Sequence, residues 1–232
     1  MTEQSPPQST VKCLPTYVLI DISSSMKPSE DVLNETLEHL YNELVMSPRI
    51  SEFAHISIIS FSTDAHVILP MTDLQQLNRL PLLACNGVTD FGKAFRQLRA
   101  CIEQDVPALR SPGRAVLRPL AFLLTDGQPT DPDGWATDAW RPDYQALVDP
   151  DWRRRPNIVT FGFGDATADI LSEIATKQGA AFLAEERGKD KDALKRIFVT
   201  LLNTLVASAR ENELRLPTDV DGFIRVSPEV VD

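Results

Sequence analysis

Five oxygen-bearing side chains stand out because of what lies before them. Asp21, Ser23 and Ser25 follow the apolar run Tyr17-Val18-Leu19-Ile20. Asp126 follows the apolar run 120–124 within Thr125-Asp126-Gly127, and Thr89 sits in Gly87-Val88-Thr89-Asp90 at the head of an amphipathic stretch. The set is two carboxylates and three hydroxyls, without cysteine or histidine. An oxygen-only set suits a hard cation, Mg²⁺ first and Mn²⁺ or Ca²⁺ as alternatives. Mg²⁺ takes about six oxygens in a near-octahedral shell and keeps several waters. Asp21, Ser23 and Ser25 alternate, so on a tight loop their side chains can point to one side. Neutral hydroxyls leave most of the ion's charge in place, which favours an added carboxylate from another molecule. Asp-x-Ser-x-Ser alone is also ordinary turn chemistry, because these side chains cap backbone groups. The combination with Thr89 and Asp126 is what points to a metal.

Loops that share a metal must be delivered to one rim. Short runs rich in Val, Ile, Leu and Phe predict strands at 17–20, 56–61, 65–69, 120–124, 158–161 and 181–183. Helical stripes fall between them. One opens at Ser29-Glu30-Asp31 with Ser29 as the capping hydroxyl, carries Leu33, Leu37, Leu40, Tyr41 and Leu44, and stops at Pro48. A second opens beside Thr89-Asp90 and carries Phe91, Ala94, Phe95, Leu98 and Ile102. Others are expected around 144–147, around Ile170 to Ile174 with Gly179 closing it, and from Leu194 to Leu205. Apolar strands alternating with helices argue a mostly parallel sheet covered on both faces, a three-layer α/β/α sandwich. The 65–69 strand lies close enough behind 56–61 to form one antiparallel edge. In such sheets ligands bind at the carboxyl ends of the strands, where all five residues fall. Residues 1–14 read as a disordered leader, 15–208 as the domain and 209–232 as a loosely held tail.

Composition narrows the function classes. A net charge of −10 removes most of the attraction to phosphate backbones and anionic membranes, so neither nucleic acid nor membrane is expected as a partner. Cys13, Cys85 and Cys101 have neither metal-knuckle spacing nor an even count, which reads as reduced thiols. The first residues lack the basic and apolar stretches of a secretion signal, and no apolar run approaches the ~20 residues of a membrane span. The expected location is the cytoplasm.

Asp21-x-Ser23-x-Ser25 after a buried strand, Gly87-x-Thr89-x-x-Gly92 opening a helix and Thr125-Asp126-Gly127 after a later strand resemble, in order, the metal-ion-dependent adhesion site (MIDAS) of von Willebrand factor type A domains. The resemblance spans roughly 15–208 and implies a Rossmann-like sandwich with a Mg²⁺ site. It implies that Ser23 and Ser25 ligate the ion directly, that Thr89 does so directly or through water, and that Asp21 and Asp126 act mostly through bridging waters. The phrases Leu14-Pro15-x-Tyr17-Val18-Leu19-Ile20-Asp21 and Phe122-Leu123-Leu124-Thr125-Asp126-Gly127-Gln128-Pro129-Thr130-Asp131 are similar to the bacterial TerY-like subfamily, which is associated with tellurium resistance and stress. That similarity implies a partner protein kinase and a PP2C-type phosphatase. Ser24 and Val88 stand where the family often has glycine, which removes backbone freedom without removing a ligand.

Other signals have weaker claims. Asp131 reads as a surface-loop aspartate sooner than as one that supports the metal ligands from behind, and His39, His55 and His66 are too scattered for catalysis. Arg153-Arg154-Arg155 reads as a solvated loop that could also dock an acidic partner. Trp135 and Trp140 become interface anchors if exposed. Gly162-Phe163-Gly164 lacks the third glycine of a dinucleotide loop. No nucleophile-and-base pair is evident, so the expected function is metal-dependent protein binding without catalysis. The alternatives are a Mg²⁺-dependent phosphohydrolase and an interaction domain whose metal only stiffens it.

Overall fold

The structure is a computed structural model that describes residues 11–71, 80–110, 114–176 and 179–226. In chain order its elements are β1 (Val11–Asp21), a 3-10 turn (Ser24–Ser29), α1 (Glu30–Val45), α2 (Pro48–Phe53), β2 (Ala54–Phe61), β3 (Ala65–Leu69) and α3 (Phe91–Ala108). There follow β4 (Arg114–Val116), β5 (Leu120–Thr125), α4 (Arg141–Val148), β6 (Asn157–Gly162), α5 (Ala168–Ile174), β7 (Ala181–Ala184), α6 (Asp190–Glu211) and β8 (Phe223–Val226).

The sheet runs β3-β2-β1-β5-β6-β7-β8, with β4 beside the start of β1. β1 pairs in parallel with β2 on one side, from Leu14↔Ala54 to Asp21↔Phe61, and with β5 on the other, from Thr16↔Leu120 to Ile20↔Leu124. The chain therefore leaves β1 in one direction and returns on its opposite flank. That switch sets the loops after Asp21 and Thr125 side by side at the carboxyl edge of the sheet, where open α/β sheets form their ligand crevices.

Alternate residues of β1 enter different cores. Val18 and Ile20 pack with Leu33, Leu37, Ile50, Leu194 and Leu201 from α1, α2 and α6. Tyr17 and Leu19 pack with Phe91, Phe95, Leu98 and Leu147 from α3 and α4. Burial on both faces explains why the strand reads as an unbroken apolar run. It also decides how α1 starts. Ser29 makes no side-chain capping bond, contrary to the sequence expectation. A missing cap costs about 1 kcal/mol, whereas each large side chain of the buried stripe contributes roughly 1.5–3 kcal/mol. Packing dominates the choice.

The three-layer sandwich expected from the sequence is present, and four local expectations change. β1 begins at Val11, so residues 11–14 belong to the sheet and not to the leader. They are held by parallel pairing of Val11–Cys13 with Arg114–Val116 and by complete burial of Cys13 and Leu14. Pro48 does not merely stop α1: it occupies the first turn of α2, where its missing N–H is harmless. α5 ends at Ile174, ahead of Gly179. The segment read as a tail from 209 holds the last turn of α6 and then β8, which pairs antiparallel with β7. The sheet thus has antiparallel strands at both edges, β3 on β2 as expected and β8 on β7 in addition. Residues 1–10, the bulk of the predicted leader, lie outside the described residues.

Candidate metal centre

β1 ends at Asp21, which is fully buried, and the chain then tightens into the 3-10 turn. Asp21 binds this turn to itself: its Oδ1 accepts from the Ser23 backbone N–H at 2.8 Å. Its Oδ2 accepts from the Thr125 hydroxyl at 2.6 Å. The Ser23 and Ser25 hydroxyls lie 3.0 Å apart, and the Ser25 hydroxyl donates to Asp126 Oδ1 at 2.7 Å. Four of the five predicted residues are therefore joined by direct hydrogen bonds into one cluster at the β1/β5 switch.

Thr89 reaches the cluster through the backbone. The Ser24 N–H and hydroxyl both donate to the Gly87 carbonyl at 3.0 Å, and the Asn86 N–H donates to the Ile22 carbonyl at 2.8 Å. These bonds lay the 86–89 loop along the 22–24 loop. Gly87 has φ +84°, and a Cβ there would stand 2.4 Å from the Thr63 hydroxyl oxygen, so this turn requires glycine. Thr89 is 5% exposed, and among the described residues its hydroxyl has no hydrogen-bond partner. Its backbone is clasped by Thr130: the Thr89 N–H donates to Thr130 Oγ1, and the Thr130 N–H donates to the Thr89 carbonyl, each at 2.9 Å.

Sequence reasoning assigned no role to Thr125, Thr130 or Gly164. Gly164 has φ +58° and packs so closely on the Asp126 backbone that a Cβ would lie 2.8 Å from its carbonyl oxygen. The next N–H, that of Asp165, donates to this carbonyl at 2.7 Å. The Gly162-Phe163-Gly164 phrase thus braces the Asp126 loop. The usable signal was position, since 162–164 ends the strand next to β5. Asp131, read from the sequence as a surface-loop aspartate, shapes its loop: its Oδ1 accepts from the Asp133 and Trp135 N–H groups at 2.9 Å. Trp140 is buried among Phe91, Phe95 and Tyr144, while Trp135 is 74% exposed.

Burial raises the pKa of Asp21, against the opposing pull of its hydrogen bonds from Ser23 and Thr125. Burial, and then the charge of Asp21, push Asp126 up to about 7. Two carboxylates that resist charging so close together mark a place where positive charge is favoured. Cys85 lies near both, but burial foremost pushes its thiol up to about 12, so it stays protonated and adds no thiolate. Among the described residues no group of three or more His, Cys, Asp or Glu side chains is arranged for a metal, so any ion here relies on hydroxyl oxygens.

The donor set suits a small hard cation in its chemistry, and one pair within it suits it in spacing. Adjacent oxygens in an octahedral Mg²⁺ shell of about 2.1 Å are about 3.0 Å apart, and the Ser23 and Ser25 hydroxyls are 3.0 Å apart. Those hydroxyls are spaced as neighbouring ligands would be.

The chain belongs to the von Willebrand factor type A domain family, whose profile matches residues 17–197. No curated protein matches it. Among solved structures it is similar to a von Willebrand factor type A protein from Catenulispora acidiphila, with 17% identity, TM-score 0.58, 84% of this chain and 43% of that one covered. It is also similar to the ArnB paralog VWA2 from Sulfolobus acidocaldarius, with 18% identity, TM-score 0.54, 84% and 46% covered. A third is proximal thread matrix protein 1 from the mussel byssus with a zinc-occupied MIDAS motif, with 16% identity, TM-score 0.57, 84% and 48% covered. The chain spans less than half the length of each of these proteins, and at such identities the likeness is one of fold. Among the described residues no helix is long and apolar enough to cross a membrane.

Proposed function

We propose that this chain is a metal-dependent protein-binding module in which Ser23, Ser25 and Thr89 offer hydroxyl oxygens to a divalent cation, Mg²⁺ first, with Asp21 and Asp126 holding them. One observation carries the reading: Ser25, from the loop after β1, sits 3.0 Å from Ser23 and 2.7 Å from Asp126, from the loop after β5, at the point where the sheet order reverses. When bound, the cation supplies an electrophilic position that a partner Asp or Glu can fill. Asp21 fixes the turn through the Ser23 N–H and is itself fixed by Thr125. Asp126 orients the Ser25 hydroxyl, and Thr130 fixes the backbone of Thr89. Ser25 is exposed, so the rim is open to another protein. Type A domains are generally interaction modules without enzymatic activity, which supports binding over catalysis.

The TerY-like phrases around Tyr17–Asp21 and Phe122–Asp131 extend the proposal to a cytoplasmic tellurite or stress response, beside a partner kinase and a PP2C-type phosphatase. The test is affinity capture from cell extract by the native chain and by Ser25→Ala and Asp21→Ala, each with Mg²⁺ and with EDTA. The proposal expects a partner retained only by native chain in Mg²⁺, and retention that ignores both EDTA and the substitutions would refute it.

A further inference from the structure

At the end of the sheet opposite Asp126, where β5 and β6 begin, the chain opens a cavity of about 540 Å³. Arg118, just ahead of β5, and Arg155, just ahead of β6, both line it. Each guanidinium is tethered at one nitrogen. Arg118 Nη1 donates to the Arg155 carbonyl at 3.2 Å, and Arg155 Nη1 donates to the Pro150 carbonyl at 2.6 Å. The remaining N–H groups have no carboxylate to meet: among the described residues neither arginine forms an ion pair.

Ten of the fifteen described arginines, these two included, form no ion pair; what sets Arg118 and Arg155 apart is that they line one cavity together. Acidic residues outnumber basic ones, 33 to 23. Arg96, Arg99, Arg141, Arg196 and Arg215 each meet an Asp or Glu. The two neighbouring cations repel each other. Burial, and then the charge of Arg155, hold Arg118 below its ordinary range. The other walls are mostly apolar or aromatic, chiefly Tyr144, Val148 and Pro150, with Asn157 and Thr176 as the polar exceptions. The Tyr144 hydroxyl is already engaged with the Glu173 carbonyl at 2.8 Å, so its ring is held in place as a wall.

We propose that this cavity binds a small organic phosphate monoester, with its dianionic head between Arg118 and Arg155 and its body against Tyr144, Val148 and Pro150. Two guanidinium forks match a dianion in charge and in planar, bidentate geometry, which one carboxylate would half satisfy. The volume lies within the range of small-molecule sites, about 300–1,000 Å³. The site is remote from the metal rim and independent of it.

The test is an NMR titration of the full chain in EDTA with phenyl phosphate, inorganic phosphate and benzoate. Phenyl phosphate should give saturable shifts of the backbone amides of Arg118, Asn157 and Thr176, and benzoate should bind more weakly. Arg118→Gln removes one charge and a single hydrogen bond, and should weaken phenyl phosphate by about tenfold or more. Should that variant fail to fold, displacement of phenyl phosphate by inorganic phosphate on the native chain is the second measurement. Absence of saturable shifts, shifts centred elsewhere, no displacement by phosphate, or equal affinity in a folded Arg118→Gln would each overturn the proposal. Binding of a phosphorylated peptide without binding of phenyl phosphate would overturn it too.

Discussion

The Thr125 hydroxyl donates a 2.6 Å hydrogen bond to Asp21 Oδ2, linking two strand ends that lie 104 residues apart in the chain. Both side chains are buried, with Asp21 inaccessible to solvent, so water cannot replace the bond. Thr125→Val keeps the shape and removes the donor. Leaving one buried acceptor unsatisfied costs about 1–3 kcal/mol. Urea unfolding of the variant in EDTA should show a loss of that size, with metal affinity lowered as well because Asp21 is less firmly aimed.

Asp126 gives stability a pH dependence with a definite sign. Its ordinary value is 3.8, and burial with the charge of Asp21 raises it to about 7 in the fold. Between these values the folded chain keeps a proton that the unfolded chain has released. This contribution is fully present below the unfolded value and is lost as pH rises through about 7. Thermal melts in EDTA should therefore show a midpoint that falls from pH ~5 to pH ~8, and Asp126→Asn should flatten the trend. Saturating Mg²⁺ should restore the midpoint most at the high-pH end, where the carboxylate is free to charge.

Gly164 is predicted to tolerate no side chain. Its φ of +58° and a Cβ position 2.8 Å from the Asp126 carbonyl oxygen mean that Gly164→Ala must move one of two loops. Strain of this kind costs on the order of 1–3 kcal/mol. Chemical denaturation should register that loss, and metal affinity should fall with it, although Gly164 offers no ligand.

Trp135 is predicted to matter for binding alone. It is 74% exposed on a loop closed by the Thr130↔Ala136 bridge, and Thr130 clasps Thr89. Trp135→Ala should change stability by no more than about 0.5 kcal/mol and leave metal affinity intact. Capture of a Mg²⁺-dependent partner should fall sharply, since an exposed tryptophan on the loop that carries Thr130 is the kind of residue that dominates interfaces.

These contrasts show which parts of the molecule were legible in its sequence. Asp21 and Asp126 each end a run of strand-forming residues, so their place at the carboxyl edge followed from local pattern alone. Ser23 and Ser25 followed from alternation with Asp21. Thr125, Thr130 and Gly164 were not legible, because their roles exist only once distant segments meet: Thr125 matters through Asp21, and Gly164 through the Asp126 carbonyl. β8 escaped for a different reason. Only Phe223 of its four residues is buried, so the strand carries no periodic signal, and backbone pairing to β7 defines it. The start of β1 was hidden by a polar, proline-bearing lead-in, although the pairing of Val11–Cys13 with Arg114–Val116 holds it in the sheet.

The most direct test of the account is calorimetric titration of Mg²⁺ and Mn²⁺ into the native chain at pH ~8, beside Ser25→Ala and Asp126→Ala variants shown to be folded. The account predicts one saturable site in the native chain, lost or weakened by about tenfold or more in both variants. Equal affinity in all three proteins, or no binding by the native chain, would contradict it.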